Sequence, residues 1–100
     1  MTGADSEQIA AAELLYKLSE RLREELQHWP ATPHGPNTIR ETLYNSIDII
    51  DAAASQTARG VITLTASDAI AESGELTLRK IIGMRKLREN IWPNPTNGSN

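Results

Sequence analysis

The chain has no cysteine and no phenylalanine, and its only aromatic residues are Tyr16, Trp29, Tyr44 and Trp92. The lack of cysteine excludes a disulfide framework and a thiolate nucleophile, and it suits a reducing cytoplasm. The lack of phenylalanine leaves the core to Leu, Ile and Ala. At 100 residues one such core is near its lower size limit, so a core shared with a second copy would help. No apolar run approaches the roughly 18 residues of a membrane-spanning helix. The acidic start lacks the basic and apolar regions of a signal peptide. The expectation is a soluble, unexported cytoplasmic chain with no membrane contact.

Chemistry-bearing motifs are scarce as well. The six glycines are scattered, and no G-x-x-x-x-G-K-[ST] loop, G-x-G-x-x-G turn or G-x-S-x-G elbow occurs. His28 and His34 flank a turn without a neighbouring cysteine or a zinc-like spacing. Asp48 and Asp51 lie three apart, but carboxylate metal sites draw ligands from several helices, so a solvated face is expected. These absences point away from an enzyme, a cofactor, a metal or a small-molecule substrate.

What the sequence does contain is helical periodicity. Leu15, Leu18, Leu22, Leu26 and Trp29 recur at three and four residues along one stripe, which Ala12 and Ile9 extend backwards. This spacing predicts a helix over residues 6–28, with Leu14 and Tyr16 beside the stripe as a second contact face. Trp29-Pro30 breaks it, and Pro33, Gly35 and Pro36 continue a semi-rigid turn. Thr38 and Glu41 have capping-box spacing ahead of Ile39, Leu43, Ile47, Ile50 and Ala54, which predicts a second helix over 38–56. Tyr44 and Ile49 lie off that stripe.

Beyond Gly60, which reads as a helix stop, VITLT at 61–65 is β-branched and nearly alternating. It reads either as a short strand paired with ELTLR at 75–79 or as an extended connector. Thr65 and Asp68 then predict a short helix over 66–73 stopped by Gly74. A last helix follows over 76–91, with Leu78, Ile81, Ile82, Met84, Leu87 and Ile91 on its buried side. Gly83 inside it is tolerable where another backbone packs against it. The expected architecture is an all-α bundle of three long helices and one short one, with a β excursion near 61–65. One domain spans 6–92 between a flexible N-terminal tail at 1–5 and a disordered C-terminal tail at 93–100.

Charge is distributed unevenly. Residues 1–75 hold five cations and twelve acids, whereas Arg79, Lys80, Arg85, Lys86 and Arg88 fall in 76–88 without an acid. Such asymmetry suggests a partner or an internal counter-surface. In one reading the basic helix docks on acidic surface, on helix 1 or helix 2 of its own chain, the first of which offers Glu20, Glu24 and Glu25, on a second copy or on another protein. In the other, residues 66–90 form a helix-turn-helix, with Gly74 at the turn, Thr77, Arg79 and Lys80 at DNA bases and Arg85, Lys86 and Arg88 at phosphates. The formal charge of −3 favours a protein partner over DNA. The sequence therefore predicts a small non-enzymatic regulator or inhibitor that binds another protein through helical surfaces, as a homodimer. Arg79, Lys80, Arg85, Lys86, Arg88, Thr77, Trp29 and Trp92 are the candidate contacts.

Overall fold

The computed structural model describes residues 6–34 and 37–91, and the tails expected at 1–5 and 93–100 lie outside them, as does Trp92. Three helices pack together: α1 (Ser6–Leu26), α2 (Thr38–Ala58) and α3 (Leu64–Ile91). α1 and α2 are antiparallel, as the Arg23 to Asp51 ion pair and the Arg40 to Trp29 hydrogen bond show. α3 runs alongside α1 in the same direction, with Gly74 beside Leu18 and Arg85 beside Glu25.

The stripes read from the first two helices meet in the core. Leu15, Leu18 and Leu22 of α1 pack against Leu43, Ile47, Ile50, Ala53 and Ala54 of α2, with Leu26, Trp29 and Ile39 partly buried at one end. α3 contributes Leu78 and Ile81, with Ile70, Ala71 and Ile82 at the margin. Ile9, Leu14, Tyr16, Tyr44 and Ile49 are exposed, so Ile9 does not extend the α1 stripe. Each of α1 and α2 turns a single flank inward.

The segment after α2 departs from expectation. Gly60 does end the helix, at φ 72°, with its N–H donating to the Thr57 carbonyl and that of Val61 to the Gln56 carbonyl, the two bonds of a Schellman close. No strand forms among the described residues at 61–65 or 75–79. Thr63 Oγ1 instead accepts the Ala66 N–H at 3.0 Å, capping a helix that already includes Leu64 and Thr65.

That helix then continues through Gly74, so the separate short helix over 66–73 is absent. Gly74 is buried where α3 comes closest to its neighbours: a Cβ there would lie 2.9 Å from both Ile50 Cδ1 and Leu18 Cδ2. The glycine permits close packing, and it does not end the helix. Gly83 is the reverse case: nothing stands within 4 Å of its Cβ position, so no backbone packs against it.

Candidate functional site

Two structures at the C-terminal half of α3 divide the basic residues between them. The first faces inward. Leu78, Ile81 and Arg85 follow helical spacing, so Arg85 points between the helices, where Glu25 of α1 occupies the equivalent place after Leu18 and Leu22. Arg85 Nε donates to Glu25 Oε2 at 2.7 Å and its Nη2 to Oε1 at 3.0 Å, while the Trp29 indole N–H donates to Oε2 at 3.0 Å. Glu25 is only 4% exposed. Burial pushes its carboxyl up, but the hydrogen bonds from Arg85 and Trp29 and the nearby positive charge outweigh this, and its pKa lies below the ordinary carboxylate value.

The basic helix therefore does dock on an acid of its own first helix, through Arg85 alone. A charge at stripe spacing on each of two helices, with opposite signs, was the signal available for this pair. Glu20 and Glu24 stay exposed. Arg88 lies over the Trp29 ring at 4.4 Å and donates to the His28 carbonyl at 3.3 Å, which ties the end of α3 to the turn after α1. Sequence reasoning missed Arg40, which donates to the Trp29 carbonyl at 2.6 Å and the Tyr44 hydroxyl at 3.0 Å. Its signal was the four-residue spacing to Tyr44.

The second structure faces outward. With Leu78, Ile81 and Arg85 inside, positions 76, 80, 83 and 87 fall on the opposite side of α3, and position 84 on the flank next to Ile81. Leu76, Met84 and Leu87 are 52%, 43% and 58% exposed. The expectation that Met84 and Leu87 are buried is thus corrected: the inward place belongs to Arg85, and Leu87 lies roughly 200° around the helix from it. Lys80 lies within this stripe, between Leu76 and Met84, and Arg79 and Lys86 lie beside it; all three are exposed and form no ion pair among the described residues. Thr77 lines a shallow groove with Ser46, Ile49 and Ile70, on the side of α3 away from Arg79.

Nothing in this arrangement forms a helix-turn-helix in 66–90, because α3 is unbroken at Gly74. Among the described residues no group of three His, Cys, Asp or Glu side chains converges, and His28 and His34 are both exposed. Asp51 is paired with Arg23, and among the described residues no helix is long and apolar enough to cross a membrane. No family model, curated protein or solved structure matches the chain.

Proposed function

We propose that the protein is a non-enzymatic regulator that acts by docking on another protein through the outer face of α3. The observation that carries this reading is the apolar stripe of Leu76, Met84 and Leu87, exposed on a helix whose opposite side is already packed. Burying one such side chain is worth roughly 1.5–3 kcal/mol, so the stripe can supply affinity. Arg79, Lys80 and Lys86 around it call for a partner with an acidic rim, and such charges set orientation more than affinity. Gly83, within the stripe and facing open space, lets a partner backbone approach closely.

A second copy of the chain meets these requirements. Asp68 and Glu72 are exposed in the first half of α3 and the free cations lie in the second half. An antiparallel pairing of two α3 helices centred near residue 77 sets these acids against the cations of the other copy and brings the two Leu76 side chains together. Sedimentation equilibrium tests this: the native chain should form a reversible dimer, and Leu76→Glu with Leu87→Glu should leave a monomer. A native chain that stays monomeric up to about 1 mM, a concentration at which even weak association shows, would contradict self-association. Binding of duplex DNA that is strong at about 50 mM salt and lost at about 200 mM would replace the protein partner with a phosphate backbone.

A further inference from the structure

At the C-terminal end of α3 its last turn, the residues following α1 and the first turn of α2 line an open pocket of about 350 Å³. This is at the lower end of the sizes that hold small molecules. Trp29, Pro30 and Ile39 give it an apolar wall, and Arg40 and Arg88 line it without any lining carboxylate.

Both guanidiniums are held by neutral groups. Arg40 is fixed by the Trp29 carbonyl and the Tyr44 hydroxyl, Arg88 by the His28 carbonyl and the Trp29 ring. Arg21, Arg23 and Arg85 each have a carboxylate partner, whereas Arg40 and Arg88 have none among the described residues. Each guanidinium carries five N–H donors, and these bonds leave most of them unused. Fixed positive charge beside an apolar wall, with its own anion missing, is the chemistry that selects a carboxylate on an apolar body.

The start of α2 adds to the same field. Asn37 makes no side-chain cap, because its Oδ1 accepts the Thr32 N–H at 2.8 Å and its Nδ2 donates to the Thr32 carbonyl at 3.3 Å. Its side chain therefore does not cap the first N–H groups of α2.

We propose that this pocket binds a small organic carboxylate, its anionic group held by Arg40 and Arg88 and its compact apolar body set against Trp29, Pro30 and Ile39. Binding is independent of docking through the outer face of α3.

The test is an NMR titration of the isotope-labelled full chain with phenylacetate, compared with the neutral isostere phenylacetamide, each up to about 10 mM. Phenylacetate should give saturable shifts centred on Trp29, Thr38, Ile39 and Arg40, and phenylacetamide should bind at least about tenfold more weakly, as expected for loss of a charge-assisted bond. Arg40→Gln and Arg88→Gln should each weaken phenylacetate binding by roughly tenfold to a hundredfold while the Leu15 and Ile50 resonances stay in place. Equal binding of acid and amide would reduce the site to an apolar trap and overturn the proposal. So would the absence of saturable shifts, or folded arginine variants that bind like the native chain. The acid and amide comparison needs no variant, so it decides even where a substitution unfolds the bundle.

Discussion

Gly74 and Gly83 share one helix and should respond to alanine in opposite ways. Gly83→Ala adds a methyl in open space and removes the backbone freedom of glycine, so it should stabilise the monomer by about 0.5–1 kcal/mol. Gly74→Val would press on Ile50 and Leu18 in the core and should cost about 1–3 kcal/mol, and urea unfolding measures both. Thr57 is fully buried and its hydroxyl has no partner among the described residues, so Thr57→Val should raise stability by about 1 kcal/mol in the same assay. Glu25 gives the molecule an acid limb. Its pKa is depressed in the folded chain, so its contribution is complete above the unfolded carboxylate value of about 4.3 and is lost as pH falls through the lower folded value. Native stability should drop between about pH 5 and pH 3, and Glu25→Gln should flatten this slope. Asp51 keeps part of it: burial raises its carboxyl, but the bonds from Arg23 and Ser19 draw it lower overall.

Among the elements, α1 and α2 were legible because each carries one apolar stripe between clear boundaries, Trp29-Pro30 at one break and Gly60 at the other. α3 was not, because it bears apolar residues on two sides and Gly74 can either end a helix or admit a close neighbour. Sequence periodicity counts Met84 and Leu87 as core. Only the placement of Glu25 on α1 shows that Arg85 takes the inward position. The β-branched run 61–65 misled in the same way, since Thr63 as a helix cap makes its second half helical. Of the candidate contacts, the basic residues were found by composition, but their division into an inward ion pair, a tie to Trp29 and three free cations rests on three-dimensional contacts. Removing Arg85 isolates the cost of that division. Arg85→Met should destabilise the bundle by about 2–3 kcal/mol, less than a fully enclosed pair because Arg85 keeps an edge in water. Pairing it with Glu25→Leu should restore part of the loss, a coupling that a double-mutant cycle in urea measures.

At the scale of the whole molecule, a small aliphatic core is closed at one end by Glu25, Arg85, Trp29, Arg88 and Arg40, while α3 keeps an apolar stripe in water. A chain of this size gains proportionately from covering such a stripe. The outer face of α3 is the central element of the functional reading, and residue-resolved NMR across a dilution series addresses it most directly. Resonances of Leu76, Lys80, Gly83, Met84 and Leu87 should shift together as concentration rises, with the exposed Leu14, Tyr16 and Ile49 unmoved. Concentration-dependent shifts confined to Leu14, Tyr16 or Ile49, or none anywhere, would contradict docking through α3.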